Sequence, residues 1–342
     1  MFNHWLRAEK KLSIVHCPLS IAIVVALMTM AAACSSDNGE TASDSGYKPV
    51  EITSAAVTRA LQPGTVPYYG STLALTYIYP GSPFDMATGS SNDKFTRFGV
   101  EWQKQTVNNV AEWVQTGEPS KRMLWKSLED RVNMYAYAPY IEPPTGGMNY
   151  TAIPFTIQVD QSDSTKLAQS DLVAWQELNY YPTAGQDKIT IIFQHLLAGL
   201  TVTLTSGPGG SPTKEELKNA EVTIQNVTKN VAFSLQDIIP HTLTGGNGTE
   251  DLTEIIPCRD SNGLSYNCVL PEQTISANTL FVTVRVGGKT YNYQPVSDLH
   301  FEKDTAYRLT LEVGDTRLVP KSVDVIPWGA PVLMTEDELE LK

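Results

Sequence analysis

Histidine and cysteine are scarce in this chain of 342 residues, which contains five of the first and four of the second. Zinc sites and many catalytic dyads are built from these side chains. Three histidines lie beyond residue 34, and none has a cysteine or a paired carboxylate at ligand spacing: His195, His241 and His300. We therefore predict that the protein is not an enzyme and that it holds no metal and no cofactor.

Basic side chains are also fewer than acidic ones. The chain has 25 Lys and Arg and 37 Asp and Glu, which gives a formal net charge of −12. A protein that follows a nucleic-acid backbone needs a basic stripe to displace counterions. The acidic charge balance therefore excludes nucleic acid as a partner that is bound along its backbone.

The N-terminal region contains an apolar stretch that is too short for a membrane span, which takes about 20 residues. This stretch, from Ile21 to Met30, follows a basic segment and leads through three alanines to Cys34. A short apolar stretch with small residues at its end is typical of a cleavable signal peptide. Small residues directly before a cysteine resemble the lipobox of bacterial lipoproteins, in which the thiol is acylated. We expect a signal peptide over residues 1–33, a lipid on Cys34 and a polar tether over residues 34–49; the alternative is an ordinary signal peptide with a chance cysteine.

Beyond the tether, the sequence shows no amphipathic helix longer than three turns. It shows short β-branched and aromatic segments every 8–15 residues, such as residues 73–79, and a Gly287-Gly288 hairpin signal between two of them. This pattern predicts an all-β fold of antiparallel sandwiches. A polar stretch around residues 183–187 places a domain boundary there, giving domains over residues 50–185 and 186–328.

Two cysteines, Cys258 and Cys268, lie ten positions apart across a turn-rich segment. Exported proteins meet oxidising conditions, so we expect a disulfide that closes this hairpin. Two free, unrelated cysteines are the alternative.

Several segments, taken together and in order, resemble the Bacteroidetes fimbrillins, the subunits of lipoprotein-derived (type V) pili. They span essentially all of the chain beyond the signal peptide: the lipobox ending in Cys34, Val57-Thr58-Arg59-Ala60, Met134-Tyr135-Ala136-Tyr137-Ala138-Pro139-Tyr140, Ser170-Asp171-Leu172-Val173-Ala174-Trp175, Phe193-Gln194-His195-Leu196-Leu197-Ala198-Gly199-Leu200 and Val323-Asp324-Val325-Ile326-Pro327-Trp328. The resemblance implies two transthyretin-like β-sandwiches in tandem. It also implies an outer-membrane lipoprotein at the cell surface, which becomes part of a fimbrium.

The resemblance further implies assembly by donor-strand exchange. A protease cuts between Arg59 and Ala60, the first strand (residues 50–58) leaves, and a strand of a neighbouring subunit takes its place. The C-terminal extension, residues 329–342, is a possible donor, with apolar side chains at Val332, Met334, Leu339 and Leu341. The same residues could instead form a short exposed helix or fray.

The implied partners are other pilus subunits, the outer membrane through the lipid on Cys34, and surface ligands of host or bacterial cells. A competing interpretation is a monomeric surface lipoprotein that binds a glycan or a host protein through loops such as residues 80–94. Exposed aromatic side chains there would favour this interpretation, and Phe84 is the only one present.

Overall fold

The computed structural model describes residues 46–57, 72–81, 83–117, 122–183, 187–237, 240–242 and 252–327. Strands dominate these ranges, which confirms the predicted all-β class. The described residues from Tyr47 to Pro327 form one compact unit.

The strands of the first half, as far as His195, are β1 (Glu51–Val57), β2 (Thr72–Ile78), β3 (Phe84–Asp85), β4 (Ser90–Ser91), β5 (Arg97–Val107), β6 (Val110–Gln115), β7 (Val132–Ala138), β8 (Ile153–Thr156), β9 (Val173–Tyr180) and β10 (Lys188–His195). The strands that follow are β11 (Ala198–Ser206), β12 (Glu221–Thr228), β13 (Asn230–Phe233), β14 (Pro240–Thr242), β15 (Leu252–Ile255), β16 (Cys258–Arg259), β17 (Ser265–Leu270), β18 (Gln273–Ile275), β19 (Val282–Val286), β20 (Lys289–Tyr293), β21 (Leu299–Phe301), β22 (Thr305–Val313) and β23 (Leu318–Pro327). The described helices are short: α1 (Ser164–Ser170) and α2 (Lys214–Leu217).

A seven-stranded sheet contains most of the first half, in the order β1-β10-β9-β7-β2-β5-β6. It includes β10, so it runs past the boundary predicted near residue 185. Conversely, β8 pairs with β13 of the second half. The division into two tandem transthyretin-like domains stays a prediction.

The central strands of this sheet are buried on both faces. In β2, Leu73, Leu75 and Tyr77 belong to one apolar core, while Ala74 and Ile78 belong to a second core on the opposite face. Successive side chains of a strand point to opposite faces. A strand covered on both sides therefore has a nearly continuous apolar sequence, as β2 and β7 do.

The second half contributes a five-stranded sheet, β16-β17-β11-β22-β23, and a four-stranded sheet, β15-β12-β19-β20. Apolar residues of both, such as Leu200 of β11 and Val282 of β19, belong to one core. The predicted hairpin between β19 and β20 is confirmed. Its turn residues, Gly287 and Gly288, have φ of 59° and 74°, values that a two-residue hairpin turn requires and that glycine adopts without strain.

Two strand pairs depart from the predicted antiparallel arrangement, because β1 pairs with β10 in parallel and β11 pairs with β22 in parallel. Parallel neighbours need a long connection between them. In both cases about a hundred residues or more of chain separate the partners, so no local hairpin signal marks the pairing.

Candidate functional site

The first strand, β1, lies at one edge of the seven-stranded sheet, where β10 is its neighbour. We call the surface that receives it, formed by β10 and residues 122–125, the β1 seat. The backbone N–H of Val50 donates to the carbonyl oxygen of Met123 (3.0 Å), and the N–H of Trp125 donates to that of Lys48 (2.8 Å). The chain entering β1 is thus hydrogen-bonded to residues 122–125, while β1 itself pairs with β10.

Apolar contacts hold β1 in this seat. Val50, Ile52 and Ala55 are buried in the core that also contains Ile189 and Ile191 of β10. Ile52 is paired with Ile189 and Ala55 with Ile191 in the strand register. Burial of a large apolar side chain contributes about 1.5–3 kcal/mol, so Val50 and Ile52 both stabilise the docking of this segment in its seat.

Two ion pairs also join β1 and the chain before it to β10. Lys48 bonds to Asp187, whose side chain is 7% exposed, and Lys188 Nζ lies 2.8 Å from Glu51 Oε2 at the surface. The hydrogen bond from Lys48 holds the pKa of the Asp187 carboxyl below its ordinary value. The hydrogen bond to Glu51 raises the pKa of Lys188.

Asp187 and Lys188 were not among the site residues predicted from the sequence. Their charges, opposite to those of Lys48 and Glu51, are visible in the sequence. However, more than 130 residues separate the partners, so nothing local shows that they meet.

Most of the predicted site residues lie outside the residues that the structure describes: Cys34, Arg59, Ala60, Val332, Met334, Leu339 and Leu341. The structure does show the strand next to the predicted cut, since β1 ends at Val57, two positions before Arg59. Lipidation, cleavage and strand donation remain predictions.

The predicted disulfide is wrong in this structure, where Cys258 and Cys268 are free thiols. Cys258 is paired with Asn267 across β16 and β17. Because Cys268 is the next residue along β17, its side chain points to the opposite face of the sheet, into the apolar core. Burial raises the pKa of both thiols.

The two histidines whose side chains the structure describes, His195 and His300, each have a separate partner. His195 is 1% exposed, and its Nδ1 lies 2.8 Å from Asp171 Oδ1, so no substrate reaches the ring. His300 Nδ1 lies 2.9 Å from Thr274 Oγ1, and His241 lies in β14. Within the described ranges, no group of three or more His, Cys, Asp or Glu side chains is placed to hold a metal ion.

A cavity of about 390 Å³ lies beside β23, and we call it the sheet-edge cavity. Phe281, Phe301 and Tyr307 line its interior, and Val323 and Val325 of β23 line its side. These two valines are 47% and 61% exposed. The inner face of the five-stranded sheet is therefore open at this edge.

No helix in the described part of the chain has the length and the apolar character that crossing a membrane requires.

Comparison with known proteins agrees with this fold. Residues 73–328 match the model of the fimbrillin-like family, so the chain belongs to this family. Among curated protein sequences there is no significant match. Membership supports a role as a pilus subunit or adhesin at the cell surface, in assembly with other subunits.

Solved structures that the chain matches come from Bacteroides and Porphyromonas species. A proposed cell adhesion protein of Bacteroides ovatus is 18% identical, with a TM-score of 0.61, over 82% of this chain and 98% of its own. One of Bacteroides uniformis is 14% identical, with a TM-score of 0.59, over 84% of this chain and 100% of its own. The tip fimbrial protein Mfa3 of Porphyromonas gingivalis is 10% identical, with a TM-score of 0.43, over 82% and 99%. The first two show that the β-sandwich fold is shared.

Proposed function

We propose that the protein is a pilus subunit that is exported as a lipoprotein, cut after Arg59 and assembled by donor-strand exchange. The observation that carries the proposal is the position of β1. It is an edge strand that fills an apolar seat, and it ends two residues before Arg59. A cut at that point separates β1 from the rest of the sheet without breaking any other described strand.

The cut changes the competition for the β1 seat. While β1 is covalently attached, its effective concentration at the seat is on the order of millimolar or above, and a strand from another molecule cannot compete. After cleavage β1 can dissociate and is lost by dilution. An incoming strand then restores the backbone hydrogen bonds to β10 and covers Ile189 and Ile191 again.

The lipid on Cys34 fits the same sequence of events. It holds the uncut precursor at the outer membrane, because several acyl chains make a durable anchor. Cleavage after Arg59 removes Cys34 together with β1, so the assembled subunit no longer carries this lipid. A Cys34→Ala variant should lose incorporation of a palmitate analogue and leave the membrane fraction.

The test of the proposal is the Arg59→Ala variant, compared with Arg59→Lys and with Arg317→Ala, which removes an exposed arginine elsewhere. Arg59→Ala should remain a membrane-bound monomer, while Arg317→Ala should form polymers that resist detergent and run as a ladder on an unboiled gel. Assembly of Arg59→Lys would indicate a trypsin-like protease, and its failure an arginine-specific one. Ladders from Arg59→Ala would contradict the cleavage step.

A second candidate function is direct ligand binding by a monomer at the cell surface. It is favoured by Phe84, which is 47% exposed at the start of the short strand β3, and by the sheet-edge cavity, whose volume is in the range of small-molecule pockets. A single monomer band on the same gel, from wild-type protein at the cell surface, would favour this function over assembly.

A further inference from the structure

The segment that the proposed cleavage would release is longer than β1, because it also contains the residues before that strand. We call residues 34–59 the leader, and the inference drawn from it rests on the proposed cleavage and lipidation. Residues 48–50 pair with residues 122–125, where Pro49 forms an antiparallel bridge with Leu124. Two backbone hydrogen bonds, of 3.0 and 2.8 Å, flank that bridge. The leader is therefore held at two places, by β10 and by residues 122–125.

An aromatic contact lies at the front of this second pairing. The rings of Tyr47 and Phe95 meet edge to face, with centroids 4.8 Å apart. Lys94 Nζ lies 5.0 Å from the centroid of the Tyr47 ring and 4.9 Å from that of Phe95, within the range of a cation–π contact. Phe95 belongs to the core that contains Val50, so Tyr47 packs against the same core. We call Lys94, Phe95 and residues 122–125 the leader clamp.

The leader clamp is fixed by hydrogen bonds that do not involve the leader. The hydroxyl of Tyr77 in β2 accepts from the N–H of Leu124 (3.1 Å) and donates to the carbonyl oxygen of Leu124 (2.9 Å). The N–H of Met123 donates to Oε1 of Gln115 in β6 (2.9 Å). All of these groups remain on the chain after a cut at Arg59. The clamp is thus preorganised, which lowers the cost of binding a peptide.

We propose that the leader clamp keeps the leader docked after cleavage, so that the cut subunit stays on the outer membrane through a lipid to which it is no longer covalently joined. The ligand of the clamp is an extended peptide that places an aromatic side chain against Lys94 and Phe95. Cleavage and departure from the membrane are then separate events. The docked leader also keeps Ile189, Ile191 and the backbone edge of β10 covered until another strand displaces it, which protects the cut subunit from aggregation.

The test cuts the protein with a protease of known specificity, so that it does not depend on the natural cleavage. Ala56→Leu and Thr58→Pro turn residues 56–59 into Leu-Val-Pro-Arg, a recognition sequence of thrombin, and every protein compared carries them. The lipidated chain is bound to vesicles, cut, checked by mass spectrometry and diluted. Sedimentation then measures how fast the body, residues 60–342, leaves the vesicles. A chain that begins at residue 35 and has no lipid gives the rate in solution, from gel filtration of the leader that stays bound.

We expect the body to remain with the vesicles well after cleavage is complete. Tyr47→Ala should speed its departure about tenfold, because the variant loses both the ring contact with Phe95 and the cation–π contact with Lys94. Tyr47→Phe keeps both contacts and should match its parent within about twofold. Lys94→Met should speed departure about threefold, since it loses the charge but keeps an apolar stem. Lys289→Met, which removes an exposed lysine of the second half, is the matched control and should have no effect.

A body that leaves the vesicles as fast as it is cut would overturn the inference, and so would equal rates for Tyr47→Ala and its parent. A precursor that does not sediment with the vesicles before the cut would overturn the membrane tether, and the soluble chain would still decide whether the clamp holds the leader. An Arg59 that is never cut in cells would overturn the proposed function and leave these rates unchanged, so the two failures can be told apart.

Discussion

Among single residues, the buried Asp187 carboxylate bears most directly on how firmly β1 is held. It is buried, yet it is charged, because Lys48 bonds to it and lowers its pKa. A carboxyl with a lowered pKa in the folded state stabilises the fold at any pH above its ordinary value of about 4. That stabilisation is lost as the pH falls through the folded-state pKa.

The Asp187→Asn variant of the uncut protein should therefore show a weaker dependence of stability on pH than the wild type in the acid range. Urea unfolding at about pH 6 and at about pH 3 measures the free energy of unfolding in each case. Lys48→Met is the matched variant from the other side: it leaves the Asp187 carboxylate without its counter-charge, so it should lower the free energy of unfolding more at about pH 6 than at about pH 3. Identical pH profiles for all three proteins would show that the pair does not act on stability.

Cys258 and Cys268 give a second prediction for single residues. Because the structure holds them as free thiols on opposite faces of the sheet, both should react with iodoacetamide in denaturant without any reductant. In native protein Cys268 should stay unmodified, since it is fully buried and its pKa is raised. If denatured protein needed a reductant before it reacted, the disulfide would be present after all.

For whole elements, β10 shows how the two faces of one strand differ. Ile191 is fully buried beneath β1, while the next residue, Ile192, is 53% exposed on the other face. We expect Ile191→Ala to lower the free energy of unfolding by about 2–5 kcal/mol, and Ile192→Ala to change it by less than about 0.5 kcal/mol. Urea titration of the two variants tests this, and similar losses from both would mean that the register of β10 is shifted.

The same elements show what could be predicted from the sequence. The nearly continuous apolar run of β2 depends only on burial close by in the chain, so residues 73–79 predict this strand. The parallel pairing of β1 with β10 depends on contacts between residues far apart in the chain, and local patterns do not contain it. The disulfide prediction failed for a related reason, because sequence spacing does not show which face of a strand each cysteine occupies.

The same difference between local and long-range contacts decides which parts of the candidate site could be predicted. The first strand could be predicted from the sequence, because its residues are contiguous, whereas the cut after Arg59 stays a prediction. The ion pairs of Asp187 and Lys188 could not, because their partners precede them by more than 130 residues. The partners of these ion pairs come into contact only in the folded seven-stranded sheet.

At the scale of the whole molecule, cleavage should convert a chain whose stability is independent of protein concentration into a complex of two separate pieces. In the uncut protein β1 is part of the same chain, so the midpoint of urea unfolding does not depend on protein concentration. After cleavage at Arg59 the seat and β1 are separate molecules, and the stability that β1 adds follows its concentration by mass action. Dissociation would expose the apolar side chains of Ile189 and Ile191 and the free backbone edge of β10.

We therefore expect the urea midpoint of the cut protein to fall on dilution, while that of uncut Arg59→Ala protein stays constant at every concentration. The native peptide of residues 329–342, added in excess, should raise the midpoint of the diluted, cut protein again, because it occupies the seat that β1 has left. A scrambled peptide of the same composition is the control and should have no effect. If the cut protein kept the same midpoint at all dilutions, β1 would not leave its seat after cleavage, and loss of the first strand could not drive assembly.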